Sequence, residues 1–511
     1  MQNKHTIQVG DIYCTQEPET GNYFAFQIIE DKEESLVYLL LDYFDDRPPT
    51  ESDFPKMKPF IRQRWFWNDS IDLCHADANE FPTDAMRVGN MPPLVSKECR
   101  TYGGWPTGSD FVAEAEWLSL PEETRRRFKE GQKSVSEVVV AGTKVRCSRQ
   151  WIDDELLSAM TDYVKELYEL PVAYTFEAKK FYPQLIPFLE SRHTARELDW
   201  DHHGQQVLDL SRTYLKEVSI DDEDMLVIKL PRSCRQLTFK GRIHPELKVE
   251  ASEGGKRLMI QLDVDKQNGL IPNLDIPQLS GLVLLSIENL DLSQIPHHFP
   301  HLNCLRLVGK PGHVKNINAL SLLNELEERL IIDDLFGFSS EEFPEPKSWP
   351  KLKWLNLESV PEEAGKHIRK VFKGKVNTLI VRKLRKPEWL AENIDNPLRH
   401  WDGSEFVPKS KFKKAVTVYR DARRTALAAA EDYTKDKDSI RLQKQLEQIS
   451  IEYVQAFNKL DGRTYWIETE EREDICAAFD VILNAVQELA GVEFEMNHSQ
   501  IYEAMDMNRD W

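Results

Sequence analysis

The residues with metal-ligand chemistry crowd into one short stretch: His193, Asp199, Asp201, His202 and His203. Imidazoles and carboxylates this close suggest a divalent ion, yet adjacent histidines seldom reach one ion together. Among these five residues there is no Glu-x-x-His or His-x-x-x-His pair to bring two ligands onto one helix face. A polar loop entering a repeat domain is the better reading. Paired acids such as Glu341-Glu342 and Asp333-Asp334 invite an acid/base reading, but 86 Asp and Glu in 511 residues produce such pairs by chance. Gly309-Lys310 and Gly374-Lys375 lack the earlier glycine and the following Ser or Thr of a phosphate loop. Gly-x-Ser-x-Gly, His-Glu-x-x-His and the kinase motif set do not occur. The expectation is a protein with no catalytic residues, metal or cofactor, whose chemistry is recognition.

Recognition residues need a framework, and the sequence supplies one between about 208 and 384. Segments of the form apolar-x-x-Leu-x-apolar recur there: Cys234-Arg-Gln-Leu237-Thr-Phe239, Met259-Ile-Gln-Leu262-Asp-Val264, Leu282-Val-Leu-Leu285-Ser-Ile287, Leu302-Asn-Cys-Leu305-Arg-Leu307, Leu352-Lys-Trp-Leu355-Asn-Leu357 and Val376-Asn-Thr-Leu379-Ile-Val381. With Leu330 between the fourth and fifth, the marker positions step by 25, 23, 20, 25, 25 and 24 residues, the period of a leucine-rich repeat. Each unit is a short strand whose leucines no single unit can bury, so units stack and share a core. Strand alternation then turns the flanking positions outward. After the second inward residue these read Lys240, Asp265, Glu288, Val308, Asp333, Glu358 and Arg382. Before it they read Thr238, Asp263, Ser286, Arg306, Ile331, Asn356 and Ile380. The register predicts a central acidic column with basic ends and Trp354 beside it. Asp263, Asp265, Glu288, Asp333, Trp354, Asn356 and Glu358 are therefore candidates for gripping a protein partner.

A formal charge of −20 argues against nucleic acid and anionic membrane as partners, since both require clustered positive charge. It favours a basic protein partner. The seven cysteines, at 14, 74, 99, 147, 234, 304 and 476, are scattered and odd in number, as in a reducing compartment. Met1-Gln-Asn-Lys-His5 lacks a signal peptide's basic and apolar regions, and no apolar run reaches membrane-spanning length. The expected location is the cytoplasm. Nothing here fixes an oligomeric state.

Before the repeats, Tyr23–Ile29 and Ser35–Asp42 are aromatic and β-branched runs separated by Glu30–Glu34, which predicts a hairpin. Pro48-Pro49, Pro82 and Pro92-Pro93 supply corners for a small barrel or half-barrel. Residues 30 to 53 hold nine acids against Lys32 and Arg47, and Asp45 and Asp46 at their centre are further partner-binding candidates. Arg64-Trp65-Phe66-Trp67 reads as core before interface.

Val9-Gly-Asp-Ile-Tyr13, Gly21-Asn-Tyr-Phe-Ala-Phe-Gln27, Gly89-Asn-Met-Pro-Pro93 and Tyr102-Gly-Gly-Trp-Pro106 together resemble the immunity protein twenty-six family of bacterial polymorphic toxin systems. The resemblance covers about the first quarter of the chain. It implies an antitoxin that neutralises a cognate toxin by binding it, and it brings no catalytic residues. The long extension beyond residue 130 departs from a minimal immunity protein.

Helical periodicity appears from Asp153 to Arg196, through Leu156, Leu157, Met160, Tyr163, Val164, Leu167 and Tyr168. Three helical stripes follow the repeats, at 415–429, 440–457 and 475–489. The expected architecture is an α+β multidomain chain. It comprises a β-rich barrel-like domain (1–133), a mainly helical connector and cap (134–205), a leucine-rich-repeat-like α/β solenoid (206–390) and a C-terminal helical bundle (391–511). The expected function is a stoichiometric toxin inhibitor, with a repeat-containing interaction scaffold as the alternative.

Overall fold

Near-continuous apolar runs build the first sheet. The computed structural model describes residues 7–32, 35–82, 84–394, 396–404, 406–462 and 466–511. Met1–His5, Glu33 and Glu34 of the sequence expectations lie outside these residues. Strands β1 (Asp11–Gln16), β2 (Tyr23–Asp31), β3 (Ser35–Asp45), β4 (Ile61–Arg62), β5 (Ser70–Ile71), β6 (Leu73–Asp77) and β7 (Met86–Asn90) come first. Five of them form an antiparallel sheet in the order β6-β3-β2-β1-β7, which leaves β6 and β7 at its edges. Alternate residues feed two cores, one of Tyr13, Phe24, Phe26, Tyr38 and Leu40, the other of Ile12, Ala25, Val37, Leu39 and Leu41. A sheet covered on both faces needs apolar residues at every position, which is why β2 and β3 do not alternate. Helix α1 (Ser109–Ser119) contributes Phe111 to the first core, and α2 (Glu122–Lys133) follows.

The chain then makes the hairpin β8 (Glu137–Val140) and β9 (Thr143–Arg146). From Trp151 it lays down β10 (Trp151–Ile152), β11 (Thr175–Ala178), β12 (Glu197–Asp201), β13 (Val207–Asp209), β14 (Glu217–Asp221), β15 (Val227–Lys229), β16 (Gln236–Phe239), β17 (Lys248–Glu250), β18 (Met259–Asp263), β19 (Gly281–Asp291), β20 (Cys304–Lys315), β21 (Arg329–Phe336), β22 (Trp354–Glu358) and β23 (Thr378–Arg382). Eleven of these form one large parallel sheet, β10-β11-β12-β14-β16-β18-β19-β20-β21-β22-β23, and β13-β15-β17 form a smaller one. The connections carry α3 (Asp154–Ala159), α4 (Tyr163–Tyr168), α5 (Leu185–Ser191), α6 (Gln294–His298) and α7 (Glu362–Phe372).

Strand pairing places Ile152, Phe176, Leu198, Val218, Leu237, Ile260, Leu282, Leu305 and Leu330 at one register position, all buried. The second row is Ala178, Trp200, Ile220, Phe239, Leu262, Leu284, Leu307 and Ile332. Two expectations are corrected by this ladder. The parallel sheet begins at Trp151, inside the segment expected to be a mainly helical connector. That segment's helical periodicity belongs to short return helices between strands, so Val164 and Tyr168 face solvent. The register of two repeats also moves: Leu262 pairs with Phe239, and Leu285 pairs with Asp263 instead of lying in the first row. The backbone marks the same register independently. His202, Ser286, Asp334, Ser359 and Lys383, each four residues beyond a first-row or equivalent position, have φ near +50° and turn the chain out of its strand.

The chain divides into two compact units, Met1–Leu357 with His367–Ile380, and Glu358–Lys366 with Val381–Trp511. The second contains α8 (Pro387–Asn393), α9 (Lys409–Asp436), α10 (Ser439–Asp461), α11 (Thr469–Ala490) and α12 (His498–Met507). The predicted stripes lie on α9, α10 and α11, and Tyr419, Leu446, Tyr453, Phe457, Phe479 and Ile482 meet in its core. A Glu468–Glu471 capping box starts α11, as acids at a helix N-terminus should. The fourth long element, α12, gave no stripe of its own and adds Ile501 and Met505 to that core.

Candidate functional site

Outward positions of the parallel sheet follow from the ladder. Between the two buried rows stand Glu177, Asp199, Ser219, Thr238, Gln261, Val283, Arg306 and Ile331. Asp263 and Asp265 keep their outward setting because their register shift is by two residues, which preserves strand parity. Leu285 is displaced by three, which reverses parity and brings it to the outward side, half-buried. Beyond it the left-handed turn at Ser286 resets the alternation, so Ile287 is buried and Glu288 exposed.

The acids of this face are largely neutralised from within. Lys240 reaches Asp199 and Asp201 together. Lys310 reaches Asp265 at 3.2 Å and Glu288 at 3.6 Å. Burial opposes the charge on Lys310, but Asp265 and Glu288 outweigh it and hold the ammonium above its ordinary range. Ser286 Oγ donates to Asp263 at 2.9 Å. Asp265 and Glu288 of the expected acidic column are therefore clasped by one lysine, and Asp263 accepts a serine hydroxyl. Asp333, half-buried on β21, stands in line with Val308 of β20.

Beyond these pairs the same side of the sheet turns apolar. Leu285, Val308, Ile331 and Trp354 are half-buried, with the exposed Arg306 and Arg329 among them, and the Arg329 guanidinium lies 5.3 Å from the Trp354 ring centroid. Trp354 Nε1 and, two residues on along the same strand, Asn356 Oδ1 are buried with no hydrogen-bond partner among the described residues. A donor and an acceptor left unmade in this way each cost about 1–3 kcal/mol. Glu358 belongs to the second compact unit, where Arg382 (2.6 Å) and Lys383 (2.9 Å) bind it and, against a burial effect of opposite sign, hold its carboxyl low.

Asp45 and Asp46 sit exposed at the end of β3, on the antiparallel sheet, and do not join this face. Part of the acidic stretch around them closes a turn: Asp53 accepts both Arg47 guanidinium nitrogens, at 2.9 and 3.0 Å, and the Thr50 N–H. The segments carrying the family resemblance act as structural pins. Asp11, 1% exposed, accepts hydrogen bonds from Gln8 N–H, Arg87 Nη2 and Asn90 Nδ2. Gly10 has φ +90°, and a Cβ there would lie 2.6 Å from the Met91 carbonyl. Buried Gln27 donates to the Met91 and Pro92 carbonyls and accepts from Leu94 N–H. Trp105 stacks on Tyr38 and donates to the Asp77 carbonyl.

The Arg64–Trp67 segment belongs to a joint inside the first unit. Trp65 packs on Trp117 and Phe128, the Arg196 guanidinium lies 4.1 Å from its ring centroid, and Phe66 meets Tyr174. Glu116 of α1 pairs with Lys216 at 2.6 Å and Arg196 at 3.8 Å. Glu19 pairs with Arg257 at 2.9 Å and Arg235 at 3.5 Å. Arg196, Lys216 and Arg235 each immediately precede a parallel strand, so the repeat geometry stacks them into a basic row that two acids of the N-terminal region engage. Their spacing in the sequence, 20 and 19 residues, is the only advance sign of that row.

A buried charge network, also missed, lies beneath the same segment. Arg62 pairs with Asp72 at 3.4 Å, Arg64 pairs with Asp110, and Glu114 accepts the Gln63 and Arg64 N–H groups. Burial pushes the Asp72 carboxyl up to about 6. The histidines have structural settings: His193 packs on Tyr214, and His203, buried, meets Asp222 at 3.3 Å. His203 stands five residues beyond Leu198, where Ile287, Leu335 and Val360 occupy the corresponding places after Leu282, Leu330 and Leu355. Among the described residues no three His, Cys, Asp or Glu side chains gather as a metal would require, and no helix is long and apolar enough to cross a membrane.

No protein-family model and no curated protein matches the chain. Among solved structures, a protein from Bacteroides fragilis aligns with 74% of this chain and 97% of its own, at 10% identity and a TM-score of 0.24. A likeness at that level carries neither fold nor function across.

Proposed function

We propose that this chain is a cytoplasmic immunity protein that neutralises a cognate bacterial toxin by stoichiometric binding and occlusion of the toxin's active site. In this reading residues 1–133 are an immunity-type half-barrel, the parallel sheet is a leucine-rich-repeat-like solenoid, and the helical unit is a C-terminal module. The observation that carries it is the orphaned Trp354 Nε1 and Asn356 Oδ1 on the strand that ends the apolar patch Leu285, Val308, Ile331 and Trp354. A partner backbone supplying one acceptor and one donor satisfies both groups while its side chains cover the apolar patch. Aromatic and arginine side chains such as Trp354, Arg306 and Arg329 are the types that anchor such contacts. A stable complex buries about 800 Å² on each partner. The clasped acids Asp263, Asp265 and Glu288 then form a polar rim suited to a basic toxin.

The test is co-expression with the toxin encoded beside the gene, followed by size-exclusion chromatography of the mixture. Survival with a 1:1 complex is expected, and both are lost in the Trp354→Ala, Ile331→Asp double variant. Toxicity that persists with the wild-type chain, and no complex, refutes the reading.

A further inference from the structure

One stretch of the helical unit is positive in a chain of −20: between 382 and 424 there are twelve Lys and Arg against six Asp and Glu. Part of this charge lines a cleft of 620 Å³ between the end of α8 and one face of α9. Arg420, Arg423 and Arg424, at i, i+3 and i+4, share that helix face and enter the cleft together. Arg424 is taken by Asp421 at 2.7 Å, and Arg420 donates one nitrogen to the Glu392 carbonyl. Arg423 is half-buried, and among the described residues no carboxylate comes within ion-pair distance of it. A partly desolvated guanidinium without a counter-ion is costly, and an anion in the cleft removes that cost. Further along the helix the lining turns apolar at Leu427, and Ile394 also lines the cleft, before Glu431 ends the helix's row. Glu431 lies seven residues beyond Arg424, on the order of 10 Å along the axis, and so marks the end of the cleft opposite to the arginines.

We infer that this cleft is a binding site for a small phosphorylated molecule, its phosphate on Arg420 and Arg423 and an apolar body along Leu427 and Ile394. Guanidinium forks match phosphate geometry, two of them balance a dianion, and the volume suits a ligand of that size. The site lies wholly within the helical unit and does not depend on the protein-binding reading of the sheet.

The test is calorimetric titration of the full chain with phenyl phosphate, inorganic phosphate and phenol. Phenyl phosphate is expected to bind about tenfold more tightly than either fragment, because it alone engages both halves of the cleft. Arg423→Gln is expected to weaken it about tenfold, whereas Lys444→Gln, an exposed cation on α10, leaves it unchanged. Arg420→Gln serves as a second variant, and circular dichroism checks that each remains helical. The inference is overturned if phenyl phosphate gives no saturable heat at millimolar concentration. It is equally overturned if both arginine variants, folded, bind as the wild type does, or if inorganic phosphate or phenol binds as well as phenyl phosphate.

Discussion

Replacing Asp11 with alanine removes the pin that joins β1 to β7. Its carboxylate accepts Gln8 N–H at 3.0 Å, Arg87 Nη2 at 2.7 Å and Asn90 Nδ2 at 2.9 Å while itself 1% exposed. Arg87 is 45% exposed and regains water when released, so its share is that of a surface pair, about 0.5 kcal/mol. Asn90 bonds a charged acceptor, worth about 1.5 kcal/mol, and the backbone donor of Gln8 adds about 1 kcal/mol. The sum is about 3 kcal/mol, or roughly a hundredfold in the local opening equilibrium at 1.36 kcal/mol per decade. Hydrogen exchange of peptides spanning β1 and β7, read by mass spectrometry, measures that opening directly. The pH dependence supplies an independent arm. Burial raises the Asp11 carboxyl, but the bonds from Arg87, Asn90 and Gln8 outweigh it and leave the group below its ordinary value. A depressed folded value means the contribution is complete above the unfolded value of about 3.9 and is lost as pH falls through the folded one. Wild type and Asp11→Ala therefore converge in strong acid. Protection of β7 that is unchanged by Asp11→Ala at neutral pH would refute the account of the pin.

Four further outcomes are expected. Leu282→Ala should cost about 2–5 kcal/mol in chemical denaturation and Leu285→Ala under about 1 kcal/mol, since one lies in the buried row and the other outward; equal costs would contradict the register. On the proposed reading Trp354→Ala should weaken binding of the toxin by about 2–4 kcal/mol in surface plasmon resonance, and unaltered affinity would take Trp354 out of the proposed interface. Glu116→Gln leaves Lys216 and Arg196 without their shared acid and should raise hydrogen exchange across α1 by about tenfold, equivalent to about 1.4 kcal/mol. For Asp72 the sign is opposite to Asp11: burial holds its folded value near 6, so its ionisation erodes stability as pH rises from the ordinary carboxylate range towards 6. Asp72→Asn should abolish that decline, on the order of 1 kcal/mol, in denaturation curves at pH 4 and pH 6.5.

The repeats were legible because their physics is periodic and their units are leucine-rich. Leu237, Ile260, Leu282, Leu305, Leu330 and Leu355 fall every 22 to 25 residues with a second apolar residue two places on. The first units escaped the same reading. Phe176-Glu-Ala178, Leu198-Asp-Trp200 and Val218-Ser-Ile220 keep only the two inward positions, and a three-residue alternation cannot be told from chance in a chain that is 41% hydrophobic. The short helices beside them supplied a competing 3.6-residue period, so Leu156, Leu157, Tyr163 and Leu167 suggested one helical connector where the structure has return turns. The C-terminal helices were plain for the opposite reason, each being 22 to 28 residues with an uninterrupted stripe.

Charge was the hardest feature to place, and the reason is parity. In the repeat of β18 the apparent leucine marker is two residues late, an even error, so Asp263 and Asp265 were assigned to the correct side from a wrong alignment. In the repeat of β19 it is three residues late, and that odd error hid Leu285 among the buried positions. Val308, Ile331 and Trp354 were therefore placed outward without Leu285 to join them, among acids that looked like a column. Nor could one dimension reveal that Lys310 returns to Asp265 and Glu288 from 45 and 22 residues away. With those acids clasped, surface charge contributes orientation and encounter rate more than binding energy, because exposed pairs are screened. On the proposed reading the weight of recognition on this face thus shifts from the acids to Trp354 and its apolar neighbours.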